Sequence, residues 1–102
     1  MSLSNITINK GSQSLKGSLI ISDNTPHLRA TINRDAYDTQ SWSDIEVWTA
    51  NGWTSIQRFP LTELRIKNYS YVSSGEDWKQ AMKEDLTDLI KFGYDFLAVN
   101  PA

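Results

Sequence analysis

The spacing of apolar residues changes once along this chain, and that change constrains the fold more than any other feature. Over about the first sixty residues, apolar and polar side chains alternate with a period of two, which is typical of strands with one buried face. Over the last thirty the period is close to 3.6, which indicates an amphipathic helix. A chain of 102 residues has about the size of one domain, so we expect residues 1–102 to form a single domain.

The alternating part predicts a sheet built from hairpins. We place five strands at residues 5–9, 15–21, 28–33, 44–50 and 53–59. Turn-forming residues separate them, notably residues 23–26 and Asn51-Gly52. Strands joined by such short turns pair antiparallel, so we expect an antiparallel sheet of about five strands. Residues 61–72 are ambiguous between a short helical turn, an edge strand and loop. We expect four of them to reach the core: Ile66, Tyr69, Tyr71 and Val72.

The Asn51-Gly52 pair predicts the geometry of the last hairpin. Both residues accept a positive φ, which a two-residue type I′ turn requires. That turn fixes the register and places Trp48 opposite Ser55, Val47 opposite Ile56 and Ile45 opposite Arg58.

The same register sorts the large apolar side chains of this hairpin onto two faces. Ile45, Val47 and Ile56 fall on one face. The other face carries Trp42, Trp48, Trp53 and Phe59. One helix can cover only one side of a sheet, and we expect it to cover the aliphatic side, which leaves room for the helix's own aromatic rings. The reverse arrangement, with the tryptophans in the core, stays open.

The sequence predicts one helix from residue 74 to about residue 97. A capping box, Ser73 to Glu76, marks its start. Its apolar residues fall within one arc: Trp78, Met82, Leu86, Leu89, Ile90, Gly93, Phe96 and Leu97. We therefore expect an α+β fold in which one long C-terminal amphipathic helix packs on one face of the sheet.

The carboxylate of Asp85 is out of place, because it lies inside the apolar arc. We expect it at the fringe of the arc, in contact with water; the alternative is burial against an arginine, which an unpaired carboxylate would need. The outer side of the helix carries more acidic than basic residues. Such a side can oppose a basic partner or imitate a phosphate backbone, but it is usually a solvated helix face, which is our expectation.

The residue types exclude most catalytic chemistry. There is no cysteine and one histidine, His27, which sits in a turn where we expect it to be exposed. Asp35, Asp38, Gln40 and Asp44 lack the spacing of a calcium loop, and no glycine-rich phosphate loop occurs. Glu46 between two tryptophans resembles half of a glycosidase site, yet a domain this small has little room for a sugar cleft. We expect no enzymatic activity, no metal and no cofactor.

Charge and hydropathy restrict the partners. Ten basic against twelve acidic residues give a net charge of −2, so we expect no general binding to nucleic acid. No apolar run approaches the roughly 18 residues of a membrane span, and the N-terminus lacks the features of a signal peptide. We expect no membrane association and a cytoplasmic location.

The segment from Arg34 through Tyr37-Asp38 and Gln40-Ser41, followed by residues 45–48 and Gly52-Trp53, resembles small bacteriophage-encoded accessory proteins of unknown function. The resemblance covers about residues 30–60. It implies a phage protein that binds a host protein stoichiometrically, as anti-CRISPR and other anti-defence inhibitors do, and it implies the host cytoplasm.

We expect the tryptophan face to be the partner surface. Its predicted residues are Tyr37, Trp42, Glu46, Trp48, Trp53 and Phe59. One alternative is a small-ligand or nucleotide sponge that stacks a base between tryptophans and holds phosphates with Arg29, Arg34 or Arg58. Another is a virion or assembly component that forms a homo-oligomer.

Overall fold

Five strands are followed by a short 3₁₀ helix and one long α-helix. The computed structural model describes residues 5–37, 40–59, 63–69 and 75–100. The strands are β1 (Ile6–Lys10), β2 (Ser14–Ile21), β3 (Leu28–Asp35), β4 (Trp42–Thr49) and β5 (Gly52–Phe59). The 3₁₀ helix is Arg65–Asn68, and the α-helix, α1, is Asp77–Val99.

Each strand pairs antiparallel with its neighbour in the chain, so the sheet order is β1-β2-β3-β4-β5. The helix packs across one face of this sheet. The predicted α+β fold, with five antiparallel strands and one C-terminal helix, is confirmed. β4 begins two residues earlier than predicted, because Trp42 and Ser43 pair with Asn33 and Ile32 of β3.

The hydrophobic core lies between α1 and the sheet. Alternation along each strand sends every second side chain toward the helix. The fully buried aliphatic residues of the sheet are Leu15, Leu19, Ile21, Leu28, Ala30, Ile32 and Ile45. From the helix they meet Met82, Leu86 and Ile90, which are equally buried. Since full burial of one large aliphatic side chain is worth about 1.5–3 kcal/mol, this contact is the main source of stability.

Two glycines bring the helix close to the sheet. A Cβ atom on Gly17 of β2 would lie 2.6 Å from Cγ of Met82, and one on Gly93 of α1 would lie 2.9 Å from Cγ2 of Ile45. Both distances are shorter than a carbon–carbon contact permits. Gly93 thus belongs to the packed face for lack of a side chain, which explains why it falls within the apolar arc.

The helix begins later than the sequence predicts. Glu76, which the prediction placed in the first turn, is the N-cap residue itself and makes no side-chain capping bond to the helix. Its carboxylate pairs with Lys79, at 2.6 Å. Ser73, the other half of the box, lies outside the described residues. At the C-terminus the backbone N–H of Asn100 donates a last helical bond to the carbonyl of Phe96, at 2.8 Å, and the non-helical φ and ψ of Asn100, −131° and 72°, end the helix.

The last hairpin has a different turn from the predicted one. Gly52 has a φ of +94°, but Asn51 has no positive φ, so the turn is not type I′. A turn with negative φ values followed by a left-handed glycine is the usual three-residue alternative. Thr49 therefore pairs with Gly52, and Trp48 pairs with Trp53 rather than with Ser55.

The register near the turn is shifted by two residues on β5, which leaves each side chain on its predicted face. Val47 is opposite Thr54 instead of Ile56. Further along, a bulge leaves Ile56 without a partner opposite it, so Ile45 pairs with Gln57 and Arg58 with Asp44. Past the bulge the predicted faces are exchanged.

The 3₁₀ helix lies within residues 61–72, the segment whose structure the sequence left ambiguous. Ile66 is fully buried and Tyr69 packs against the core, as predicted. Tyr71 and Val72, the other two residues of that prediction, lie outside the described residues.

Candidate functional site

The sheet face opposite α1 carries exposed aromatic side chains. Trp42 and Trp48 project from β4 on this face, which we call the open face, and they are 40% and 52% exposed. Ile45 and Val47, which alternate with them, are buried under the helix. The expectation that α1 covers the aliphatic side, and not the tryptophans, is confirmed.

Trp48 and Trp53 form an aromatic pair at the β4–β5 end of the open face. They are opposite each other in the register, and their ring centroids are 5.3 Å apart with planes inclined at 68°. The guanidinium carbon of Arg29 lies 4.6 Å from the ring centroid of Trp53, within cation–π distance. Trp53 is thus held between two neighbours and half-buried, while Trp48 is the more exposed ring.

Arg29 is fixed by Glu46, its register partner on β4. Its Nε and Nη2 atoms both donate to Oε1 of Glu46, at 2.9 and 2.8 Å. The side chain of Glu46 is 18% exposed, so the pair is partly shielded from water. Glu46 therefore orients Arg29 over Trp53, and the two charges cancel within the cluster. Hereafter the tryptophan cluster means Arg29, Glu46, Trp48 and Trp53.

The other predicted partner residues do not join this cluster. Trp42 lies six residues before Trp48 on β4, about 20 Å along the strand, and pairs with Asn33. Tyr37 is 61% exposed in the connection after β3, where its carbonyl accepts from the Ser41 hydroxyl at 3.2 Å. The backbone of Phe59 pairs with Ser43, a position of the helix-covered face, and its side chain lies outside the described part.

The three arginines considered for phosphate binding do not converge. Arg29 is engaged by Glu46. Arg34 lies on the helix-covered face, opposite Leu15, and donates from Nε to the carbonyl of Tyr69 at 3.2 Å. Arg58 is exposed and opposite Asp44 on the open face. Alternation along β3 puts Arg29 and Arg34 on opposite faces, so one phosphate group cannot contact both.

Asp85 contradicts the expectation of a fringe position, since its side chain is fully buried. Its carboxylate accepts the backbone N–H of Ile66 at 2.8 Å and the backbone N–H of Arg65 at 3.1 Å. Nη1 of Arg65 adds an ion pair to the same carboxylate at 3.1 Å. These bonds satisfy the first N–H groups of the 3₁₀ helix, which explains how a carboxylate is tolerated in the apolar arc.

Arg65 also neutralises part of the acidic helix side. Its Nε pairs with Glu84 at 3.0 Å and its Nη1 with Asp88 at 2.8 Å. Hydrogen bonds that Arg65 donates to Asp88 and Asp85 raise the pKa of Arg65 above its ordinary value, so it stays charged. A surface groove of about 620 Å³ runs beside it, between the 3₁₀ helix and α1. Because Arg65 pairs with three carboxylates of α1, the acidic side of the helix does not resemble the unpaired negative charges of a phosphate backbone.

The cluster around Asp85 is what sequence reasoning missed. The carboxylate inside the apolar arc was the available signal, and Arg65 was one of several arginines that could pair with it. The two backbone donors could not be foreseen, since the pattern of residues 61–72 allowed a short helical turn but did not distinguish it from an edge strand or a loop.

The residues weighed for metal or acid–base chemistry make structural contacts. Nδ1 of His27 lies 2.9 Å from the carbonyl of Asn24, and His27 is partly buried rather than exposed. Oδ1 of Asp35 accepts the backbone N–H of Tyr37, and Oδ1 of Asp44 accepts the Ser55 hydroxyl. Asp38 lies outside the described residues. Among the described residues no three His, Cys, Asp or Glu side chains come together as metal ligands would.

Comparisons with family models, with curated proteins and with solved structures each found no match to this chain. Among the described residues, α1 is the one long helix, and it lacks the sustained apolar stretch that crossing a bilayer requires.

Proposed function

We propose that this chain is a small non-enzymatic binding protein that engages a host protein stoichiometrically, with the tryptophan cluster at the centre of the contact. The observation that carries the proposal is the exposed Trp48 ring, seated on a half-buried Trp53 that Arg29 and Glu46 hold in place. Tryptophan and arginine are the residue types most enriched among those that dominate binding energy at protein interfaces. We further propose the phage origin and the host cytoplasm that the resemblance of residues 30–60 implies.

The rigidity of the cluster supports this role. Its four residues stand on three adjacent paired strands, and the charged pair is satisfied internally. A partner would therefore meet side chains that already have their bound conformation, which reduces the entropy lost on binding. Trp42 and Tyr37 lie toward the other end of the open face and would contribute to its periphery.

Capture from the lysate of a bacterial host tests the proposal. Immobilised wild-type protein should retain one host protein at about equal stoichiometry, and Trp48→Ala should lose it. Phe92→Ala is the control, since it removes an exposed aromatic side chain from α1, on the other side of the sheet. We expect Trp48→Ala to weaken binding by 2 kcal/mol or more, a loss of roughly thirtyfold. Retention of the same protein by Trp48→Ala would contradict the proposal.

Two further measurements address the other classes of function. A nucleotide sponge should gain several degrees in melting temperature with its ligand, because binding to the native state stabilises it. A virion or assembly component should elute as a defined oligomer at every workable concentration. We expect no stabilisation by a nucleotide, since the three arginines do not converge on one site. A defined oligomer at every concentration would favour the assembly component over the proposed function.

A further inference from the structure

The tryptophan cluster has a pattern of hydrogen-bonding groups that restricts what it can bind. Neither the Trp48 nor the Trp53 indole N–H has an acceptor among the described residues, and Nη1 of Arg29 is likewise unused there. The cluster's carboxylate uses Oε1 of Glu46 for Arg29, which leaves Oε2 as its remaining strong acceptor. Donors therefore outnumber acceptors, while the net charge of the cluster is zero.

The backbone beneath the cluster supplies no further acceptors to a ligand on the open face. β4 is paired with β3 on one side and with β5 on the other, and the outer edge of β5, the last strand of the sheet, directs its backbone groups into the plane of the sheet and not onto the open face. A peptide lying on the open face therefore cannot extend the sheet, and its own N–H groups would lose water without finding partners. Each buried donor left unsatisfied weakens binding substantially. A ligand with carbonyl groups and few N–H groups fits this surface best.

From these contacts we infer that the segment of the partner protein seated on the tryptophan cluster is an uncharged, proline-rich stretch in the polyproline II conformation. Proline has no backbone N–H, so such a stretch brings acceptors without unsatisfied donors. Two aromatic rings inclined at 68° form a corner in which a pyrrolidine ring can pack, with an indole N–H donating to a carbonyl of the stretch. The inference rests on the proposed function and specifies its partner.

Neutrality of the cluster excludes the main alternative, a charged peptide motif. A partner segment with several acidic or basic residues would need an unpaired opposite charge here, and the Arg29–Glu46 pair provides none. Binding should therefore depend little on ionic strength, because the two rings are neutral and the charges of Arg29 and Glu46 cancel.

Fluorescence anisotropy with labelled decaproline tests this inference on the full-length protein. We expect saturable binding by the wild type, with a loss of at least about tenfold in affinity for Trp48→Ala. Trp48→Phe keeps an aromatic ring but removes the N–H, and should bind between the two. Phe92→Ala, a control that removes an exposed aromatic ring from α1 on the other side of the sheet, should bind like the wild type. A glycine–serine decapeptide should not bind, and the affinity should change less than about twofold between 50 mM and 500 mM salt.

Three results would overturn the inference: no saturation by decaproline at about 1 mM, equal affinity of Trp48→Ala and the wild type, or loss of binding at high salt. These results are distinguishable from failure of the proposed function. If Trp48 is required for capture of a host protein but decaproline does not bind, the partner presents another kind of segment and the proposed function stands. If decaproline binds through Trp48 but no host protein is retained, the proposed function fails and the specificity of the cluster stands.

Discussion

Oδ2 of Asp85 lies 2.8 Å from the backbone nitrogen of Ile66, so a buried helix carboxylate holds the start of a segment nineteen residues earlier in the chain. Ile66 is itself fully buried. Because its backbone N–H donates to Asp85, Ile66 can lie in the core without an unsatisfied donor. The interaction is local in space, distant in sequence and independent of the open face.

Replacing Asp85 by alanine should destabilise the protein strongly. The substitution leaves the backbone N–H groups of Arg65 and Ile66 without an acceptor, at about 1–3 kcal/mol for each donor that stays buried. Urea unfolding measures the loss. Asp88→Ala removes a partner of the same arginine, but this ion pair is exposed, so its cost should stay within about 1 kcal/mol. Equal losses of stability for the two variants would mean that the ion pairs of Arg65 stabilise the fold, and that the backbone bonds to Asp85 add little.

Gly93→Ala should lower stability even though alanine favours helices. The added Cβ would lie 2.9 Å from Ile45 Cγ2 and 3.0 Å from Leu28 Cδ1, and overpacking of this kind costs about 1–3 kcal/mol. The helix preference of alanine over glycine returns about 1 kcal/mol. Comparing Lys91→Ala with Lys91→Gly, at an exposed position of the same helix, measures that preference directly. A melting temperature for Gly93→Ala above that of the wild type would show that α1 can move away from the sheet.

Leu86→Ala should cost about 2–5 kcal/mol in the free energy of unfolding, because it leaves a cavity under a fully buried position of α1. Glu84→Ala lies on the outer side, where its pairing with Arg65 is exposed, and should change stability by about 0.5 kcal/mol or less. Denaturant midpoints of the two variants measure this difference in stability, provided that the slopes of their unfolding free energy against denaturant (m values) are equal. Similar midpoints would mean that the helix is rotated relative to the packing described above.

Stability should also fall at alkaline pH through Tyr94. Its hydroxyl donates to the carbonyl of Pro26 at 3.1 Å. Burial raises the pKa of Tyr94 above its ordinary value, helped by the charge of Asp23 and opposed by a hydrogen bond with Asn24. The protonated form is therefore favoured in the folded state. Its contribution is complete below the ordinary tyrosine pKa of about 10 and is lost as the pH rises through the higher folded value.

Tyr94→Phe is the matched variant for that measurement. Its unfolding free energy should decline less steeply above about pH 10 than that of the wild type, although other tyrosines titrate in both proteins. Parallel decline of the two curves would show that the Tyr94 hydroxyl does not couple to folding.

The strands and their faces were predictable because alternation directly records which side chains meet the core. Leu28, Ala30 and Ile32 alternate with polar residues, and all three are fully buried. The turn was not predictable to the residue. Asn-Gly suits a type I′ turn and equally suits a turn that ends in a left-handed glycine, since both use a positive φ at Gly52.

The composition of the tryptophan cluster followed only in part from the sequence. Alternation along β4 predicts that Trp42 and Trp48 lie on the same face. It does not predict that only Trp48 joins Trp53 and Arg29, about 20 Å from Trp42. The cation–π contact of Arg29 depends on the pairing of β3 with β4, which no local pattern fixes. The prediction that Asp85 is exposed to water was wrong for a similar reason. Its hydrogen-bond partners, Arg65 and Ile66, come from a segment whose sequence has no periodicity.

The strand order has a consequence for biosynthesis. Every strand pairs with its neighbour in the chain, so the sheet can assemble in step with translation from short loop closures. The helix that covers its apolar side comes after all five strands and is 23 residues long. At about 5–20 residues per second, the ribosome needs roughly 1–5 s to make it. During that interval the nascent sheet has an uncovered aliphatic side, and chaperones or proteases that act on exposed apolar surface have their best access.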